Sequence, residues 1–546
     1  MYNTVMPTTN IIQGDYSAYS SYYQIKLPLN IELSIPANDP VRLLSAFVEG
    51  MDLSELYKTY DRIRKNQATP RQMLKIVLYA AMNRLYSSRD IESACRRDIN
   101  YMYLLEGMPA PDHATVARFI SLHLSRCSQK TLASMTEKLY EAGEISGKTI
   151  FIDGTKIESV ANKYTFVWKK RVIKSQEKLT GKVERFVSEC EALYGIRTVY
   201  NDRIDIGTLK RLRKQLMKIV VEEGIVFVRG IGYRKSILQK SVEELDEYLH
   251  RLRDYKEKLE TLGERNSYSK TDPDATFMRM KEDAMLNGQL KPAYNIQHGV
   301  DSEYITWADI SHYATDTNTL VPFLKGMERH LSFKYTEVVA DAGYESEENY
   351  VFLDRNDQLS FIKPADYEYA KTKRYRNDIG RRENMRYEAD RDIYICKSGK
   401  ELRLTGYRNI KTADGYVRHT SIYTCNDCTG CPYKSQCIHG NNSKIPMEER
   451  NKVLRFSKTM DEMRQKNLER FSSEYGIRLR INRSIQAEGS FADVKEDMNF
   501  RRYMYRGKKN ALAQSIVLAM ARNIYKLHCR IQAGRTGLHL FQVNSA

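Results

Sequence analysis

Three carboxylates occupy positions from which they could share a metal ion. Asp153 follows the apolar run 149–152, and Asp341 follows the run 338–340 and precedes Ala342, Gly343 and Tyr344. Both runs read as strands, and strand ends in an α/β sheet open into the crevice where ligands collect. A single Asp after a strand serves equally well as a turn or cap residue. Glu488 offers a third acid. Residues 479–498 read as a helix that places Ile481, Ile485 and Ala492 roughly on its face, and Lys495 lies seven residues on. Seven residues are two helical turns less about 20°, so Glu488 and Lys495 project from one side. The same spacing also describes an ordinary surface ion pair.

A second constellation is built of sulfur. Cys425, Cys428, Cys431 and Cys437 fall within thirteen residues, and Cys396 lies upstream in a strand-like segment. Zn²⁺ accepts four thiolates tetrahedrally, and a Cys-x2-Cys pair presents two of them to one ion. The spacing is compressed and five thiols compete for four places, so reduced thiols in a tight loop are the other reading. Cys95, Cys127, Cys190 and Cys529 are isolated and read as packing residues.

Elements must hold these residues in place. Residues 1 to about 45 are polar, rich in Tyr, Ser and Asn, and read as an arm. From Leu53 to about Gly143 the pattern is helical, with Thr69-Pro70, Ser87 with Asp90, and Asp112 as helix starts. Helices separated by the Gly/Pro-containing turn 107–115 suggest a helix-turn-helix-like domain, or an ordinary helical bundle. Between 163 and about 266, apolar residues recur at threes, fours and sevens, among them Leu179, Val183 and Phe186, Leu209, Leu212 and Leu216, and Leu245, Leu252 and Leu259. Ser241 with Glu244 reads as the cap of the last of these runs. The section is expected to be an antiparallel helical hairpin or small coiled coil inserted into another domain. Strand patterns at 293–297, 304–310, 336–340 and 359–362, with a helix over 319–328, imply an α/β layer with a mixed sheet. Residues 457–527 are helical again.

Composition narrows the partners. The chain has 546 residues, 87 Lys+Arg against 69 Asp+Glu, and so a formal charge of +18. That surplus points to a polyanion, most simply nucleic acid. After Asp497 there is no acidic residue, while Arg501, Arg502, Arg506, Lys508, Lys509, Arg522, Lys526, Arg530 and Arg535 follow. Arg84, Arg89, Arg96, Arg97 and Arg118 add basic positions among the first helices. Mean hydropathy is −0.58 and no apolar run approaches the roughly 20 residues of a membrane helix. Nine Cys in so long a chain make no disulfide scaffold, and MYNTVMPTTN has neither the basic nor the apolar part of a secretory signal. A reducing, cytoplasmic location is expected, with no membrane partner.

The runs IDGTKIESVANKYTFVWKK (152–170), VVADAGYESEENY (338–350) and RSIQAEGSFADVKEDMNFRRYMYRGKKNA (483–511) together resemble bacterial insertion-sequence transposases of the DDE superfamily. The resemblance extends from about Val41 to Arg530, through PDHATVARF, the helical insertion, PAYNIQ and the Cys-rich stretch. It implies a ribonuclease H-like core in which Asp153, Asp341 and Glu488 are the metal-binding triad. It also implies that Lys495 contacts DNA phosphate near the cleaved bond. The family tends to carry a Tyr and an Arg before the glutamate. Here Arg483 stands five residues before Glu488, where four is commoner, and Ile481 occupies the usual Tyr position. Similar Cys clusters occur in the family, which favours a structural zinc on Cys425, Cys428, Cys431 and Cys437, with Cys396 as substitute.

Hydrolysis and strand transfer of phosphodiesters need an activated water or 3′-hydroxyl and a stabilised leaving oxygen, which two divalent ions about 3.5–4 Å apart supply. Mg²⁺ takes a few carboxylates plus water and substrate oxygens, so three acids suffice, with Mn²⁺ as the substitute. The ten His are scattered and form no His-x-His motif, which disfavours a tyrosine-recombinase route.

The expected architecture is therefore α/β and multidomain: an arm (1–45), a helical DNA-binding domain (46–145), and a catalytic core in three pieces (146–162, 290–390 and 450–530). A helical insertion (163–289), a Cys-rich insertion (391–449) and a tail (531–546) complete it. The expected activity is binding of the element's terminal inverted repeats, metal-dependent cleavage and strand transfer into target DNA. Paired ends imply a homodimer or larger assembly. Arg118, Arg483, Lys495, Arg501, Arg502, Lys508 and Lys509 are the expected DNA contacts. The alternatives are a metal-dependent nuclease on the same fold and an inactive, DNA-binding descendant of a transposase.

Overall fold

The computed structural model describes residues 34–200, 203–230, 232–280, 288–412, 415–440 and 445–541. Residues 1–33 of the expected arm and 542–546 of the expected tail lie outside the described residues.

Helices dominate the first part: α1 (Pro40–Glu49), α2 (Pro70–Met82), α3 (Ser88–Arg97), α4 (Ile99–Leu105), α5 (His113–Arg118) and, after a π turn at Phe119–Leu124, α6 (Ser125–Glu141). Helix α1 lies where an arm was expected; Asp39 caps it, with Pro40 at its first turn. Thr69 and Gln72 form a reciprocal capping box on α2, and Asp112 accepts from the Thr115 amide on α5. Ser87 precedes α3 but its side chain makes no cap bond, so the expected box there is absent.

The central sheet follows: β1 (Thr149–Glu158), β2 (Thr276–Arg279), β3 (Leu290–Asp301), β4 (Tyr304–Ser311), β5 (Glu337–Ala340) and β6 (Leu359–Ile362), with helices α10 (Leu320–Glu328) and α11 (Glu347–Arg355) in the connections. Three helices leave the sheet after β1 and return before β2: α7 (Lys169–Tyr194), α8 (Ile206–Glu222) and α9 (Ile237–Leu262). The order is β2-β3-β1-β5-β6, with β4 also on β3. β1 pairs antiparallel with β3 and parallel with β5, and β5 pairs parallel with β6. β1 was expected to end at Asp153. It runs on to Glu158 because β3 pairs with it as far as Glu158↔Ala293, whereas its pairing with β5 ends at Ile152↔Ala340.

Among the described residues the inserted helices number three, because the Leu209–Leu212–Leu216 stripe lies on a helix of its own. They share a core of Leu179, Val183, Phe186, Leu209, Leu212, Leu216, Leu245 and Leu249. Helix α9 begins at Ser236, whose side chain accepts from the Gln239 amide; Ser241, the expected cap, is interior, since Ile237 to Lys240 are good helix residues.

A second, five-stranded antiparallel sheet spans β7 (Arg386–Glu388), β8 (Ile393–Ile395), β9 (Glu401–Lys411), β10 (Val417–Cys425) and β11 (Val453–Phe456), in the order β11-β10-β9-β8-β7. The chain then forms α12 (Lys458–Ser472), α13 (Glu474–Arg483) and, after an irregular stretch, α14 (Lys508–Gln532). The expected helical run 457–527 is thus broken at Ser473 and again after Asp497.

Helix α14 joins the two ends of the chain. Ile516, Met520 and Ile524 pack in one buried cluster with Ile76, Leu124 and Met135 of the first helices and Tyr304 and Ala308 of β4. Asn523 exchanges both hydrogen bonds with the backbone of Ile305 (2.9 and 2.8 Å), which covers the exposed edge of β4. The basic run on this helix is partly consumed inside the molecule. Arg522 and Arg530 are buried. Arg522 pairs with Asp493 at 2.6 Å, Arg530 with Glu303 at 2.9 Å, and Lys526 with Glu303 at 2.5 Å. Arg522 and Arg530 are therefore committed to internal ion pairs. No helix among the described residues is long and apolar enough to cross a membrane.

Burial pushes the Glu303 carboxyl up, but hydrogen bonds from Lys526 and Arg530 outweigh it and hold its pKa below the usual value. A carboxylate so depressed adds stability above the unfolded-state pKa of about 4.5 and loses it as pH falls through the folded value. Glu303→Gln is expected to cost about 2 kcal/mol at pH 7 in urea unfolding, with the deficit against the parent shrinking below about pH 4.

Candidate active site

Strands β1 and β5 are parallel neighbours whose pairing stops at Ile152 and Ala340, so Asp153 and Asp341, the next residue on each, stand side by side. Adjacent strands lie about 4.8 Å apart, which brings the two carboxylates to one edge. The Asp341 carboxylate also accepts from the Gly343 amide (2.8 Å), shaping the short 3₁₀ turn Ala342–Tyr344.

Glu488 arrives from a different element by an unusual path. Beyond α13 the helix widens into a π turn at Ser484–Glu488, returns to α at Gly489–Ala492, and widens again at Asp493–Asp497. A π turn holds one residue more than an α turn. The five-residue separation of Arg483 and Glu488 therefore spans one turn, and their side chains meet: Arg483 Nη2 to Glu488 Oε1 is 2.9 Å. The same guanidinium lies 3.8 Å from Asp153 Oδ2. Arg483 and Asp153 are only 17% and 15% exposed against 56% for Glu488, so a half-sheltered cation links an inner acid to an outer one. Burial anchors this helix from below, where His298, the cross-strand partner of Asp153, stacks on Phe491 and bonds Ser490 Oγ.

A fourth acid, absent from the sequence reading, joins the group. Asp316, in the loop between β4 and α10, accepts from Asn295 Nδ2 (2.7 Å) and Gln297 Nε2 (3.0 Å) through one oxygen. Gln297 in turn accepts from the Tyr344 hydroxyl. Tyr344 is fully buried, and burial, then the charges of Asp316, Asp153 and Asp341, push its pKa well above the tyrosine range. The only sequence signal for Asp316 was a polar loop, ATDTNT, after a strand.

The remaining expected contacts are dispersed. Lys495 is half-buried on the second π turn. Arg501 pairs with Glu496 at 2.6 Å, and Arg502 donates to the carbonyls of Ser159 and Ala161 (3.2 Å each) beyond the end of β1. Lys508 and Lys509 are exposed at the start of α14, and Arg118 is exposed at the end of α5.

The thiols gather from two places. Cys396 sits in the β8–β9 turn, and Cys425 ends β10, where the pair Leu402↔Cys425 brings the two turns together. Cys428, Cys431 and Cys437 follow in the next loop. Ser398 Oγ is within 3.1 Å of Cys396 Sγ and 3.7 Å of Cys431 Sγ. Burial, with Cys428 and Cys396 alongside, pushes the Cys425 thiol up to about 11, and burial also raises Cys437. Among the described residues, no three His, Cys, Asp or Glu side chains are close enough to hold one metal ion, at the carboxylates or at the cysteines. The carboxylates nevertheless fit a cation, since Asp153 and Glu488 already flank the positive charge of Arg483.

Two family models match the chain: a Transposase DDE domain over residues 395–528 and a Transposase domain over residues 29–122. No curated protein and no solved structure matches it. The first match contains Glu488, all five clustered cysteines and the last three strands of the second sheet, and the second covers the N-terminal helices through α5.

Close packing at the acids leaves no room for side chains on the neighbouring glycine. A Cβ on Gly154 would lie 2.5 Å from Gln297 Nε2 and 2.8 Å from Asp316 Oδ1. Gly154→Ala is expected to cost about 1–3 kcal/mol in urea unfolding. Gly50→Ala, which meets only the flexible end of Lys138, should cost less than about 0.5 kcal/mol.

Proposed function

We propose that the chain, matched by two transposase family models, is an insertion-sequence transposase of the DDE type that binds the terminal inverted repeats of its own element, cleaves the DNA there and joins the freed 3′-hydroxyl to target DNA. Asp153, Asp341 and Glu488 are the acids of the reaction. The observation that carries this assignment is the convergence of Asp153 and Asp341 on neighbouring parallel strands, with Arg483 tying Glu488 to Asp153. The strand order β3-β1-β5-β6, with β1 central, supports reading the sheet as a ribonuclease H-like core.

The three acids would hold Mg²⁺ or Mn²⁺, which when bound activates the attacking oxygen and stabilises the leaving one. The chain's own residues then supply orientation and charge. Arg483 is a planar donor able to grip a phosphate in two places, and a phosphate approaching the acids can draw it from Glu488. Lys495 follows on the same segment, two turns beyond Glu488, and meets the backbone beside the reacting phosphate. Arg118 with Lys508 and Lys509 contribute exposed charge farther out. Arg501 and Arg502 fix the segment that runs along the end of β1. A reducing cell interior suits the free thiols, and paired element ends call for at least a homodimer.

Four of the clustered thiols, Cys425, Cys428, Cys431 and Cys437, with Cys396 in reserve, are assigned to one structural Zn²⁺. The Leu402↔Cys425 pair brings the two turns together, but among the described residues no three thiols stand close enough to share one ion, so binding would have to draw them in. Binding would expel protons from the Cys425 and Cys437 thiols, whose pKa burial raises. Protein purified without chelator is expected to contain about one equivalent of zinc by elemental analysis; absence of zinc would refute the assignment.

The decisive assay uses labelled DNA carrying the sequences that flank the gene. Mg²⁺-dependent cleavage and joining are expected, abolished by Asp153→Ala, Asp341→Ala and Glu488→Ala, with DNA affinity kept within about threefold of the parent. A nicking Asp153→Ala protein would sink the triad. Breaks without joining would leave a nuclease, and binding without cutting by the parent would leave a DNA-binding descendant.

A further inference from the structure

Asp316 touches the machinery of the two strand acids without belonging to either strand. Its backbone is locked into the loop after β4, with the Thr319 amide and hydroxyl both donating to its carbonyl (3.0 and 2.7 Å). Its carboxylate gathers two amides from β3, Asn295 and Gln297, each no more than 2% exposed. In the sheet those residues face β1 at Lys156 and Gly154, immediately beyond Asp153. Gln297 then holds the hydroxyl of Tyr344, whose backbone closes the turn that begins at Asp341. Thr317 Oγ1 adds a bond to the Gly343 carbonyl in the same turn (3.0 Å).

The network therefore crosses from the strand beside Asp153 to the turn carrying Asp341, and Asp316 is the charged acceptor for both amides of β3. Its position is tight on both sides. A Cβ on Gly154 would lie 2.8 Å from Asp316 Oδ1, and one on Gly343 would lie 3.3 Å from Asp316 Oδ2 and 3.0 Å from Asp341 Oδ1. The inner end of the network, Tyr344, is fully buried and has no water with which to replace a lost partner.

We propose that Asp316 is a positioning residue for this transposase: through Gln297 and Tyr344 it sets the separation of Asp153 and Asp341, and thereby the affinity of that pair for a divalent cation. The inference rests on the assignment of Asp153 and Asp341 as metal-binding acids. Groups that orient metal ligands from behind change metal affinity by about 10- to 100-fold when removed. Asparagine at 316 keeps a carbonyl oxygen for the two amide donors, so a residue that acts by holding them tolerates it. A residue that ligates the ion through its charge does not.

The test measures Mn²⁺ binding to the full-length protein by the electron paramagnetic resonance of free Mn²⁺, alongside the Mg²⁺ concentration for half-maximal cleavage. Asp316→Ala is expected to weaken Mn²⁺ binding about tenfold and to raise the Mg²⁺ requirement to match. Asp316→Asn should restore both to within about threefold of the parent, and Tyr344→Phe should reproduce a weaker form of the alanine defect. Should the alanine variant fail to fold, the asparagine and phenylalanine variants still decide. Parent-like Mn²⁺ binding by Asp316→Ala, or by Tyr344→Phe, overturns the proposal. An Asp316→Asn variant as defective as alanine also overturns it and makes the carboxylate a ligand. Asp153→Ala serves as the control: if it binds Mn²⁺ as the parent does, the metal assignment itself falls; if it does not, a failure belongs to Asp316 alone.

Discussion

Everything at the acids depends on a mismatch in the pairing of one strand. β1 is bonded along its length to β3, but its parallel bonds to β5 stop at Ile152 and Ala340. Past that point β1 continues as a rigid ribbon on one side while β5 turns away on the other. The opening between them is bordered by Asp153 and Asp341. Because β3 holds β1 straight, Asp153 has the fixed backbone of a strand residue, and Asp341 the sharper geometry of a turn. A lone β1 ending at Asp153 would have left both acids on loops.

The third acid is held by another departure from regularity. An α-helix through Glu488 would place a residue five positions earlier about 140° away. The π turn at Ser484–Glu488 absorbs the extra residue and restores Arg483 to the face of Glu488. The widened helix also needs filling, and it is packed against the sheet by Gln486, Ala487 and Ser490, all buried. A five-residue spacing thus still brings the arginine onto the glutamate.

What was legible in the sequence follows from how local the signal was. Strands β4, β5 and β6, helix α10 and the caps Thr69 and Asp112 were readable from a few adjacent residues. The three candidate carboxylates and the thiols were singled out by type and spacing. Illegible features were those fixed by distant partners. The extension of β1 requires β3, more than 130 residues on, and Asp316 has meaning only beside Asn295 and Gln297 on another strand. The burial of Arg522 and Arg530 depends on Glu303 and Asp493 lying under α14, so a run of bases read as exposed charge proved to be partly an internal clamp. Helical periodicity could not separate 3.6 from the wider turn around Glu488, since the two differ by a single residue.

The three inserted helices start and return at almost one point. Lys169 N bonds Asn266 O at 2.9 Å, and Phe166–Trp168 pairs with Ser267–Ser269 over three residues. To the central sheet the whole excursion is therefore equivalent to a hairpin, whatever its length. Such a zipped junction makes the insert a cassette, since lengthening or shortening it changes the closure entropy only logarithmically. With a core of its own, it can diverge in sequence and size without disturbing the spacing of Asp153 and Asp341, and a lineage could trade one cassette for another at constant chemistry.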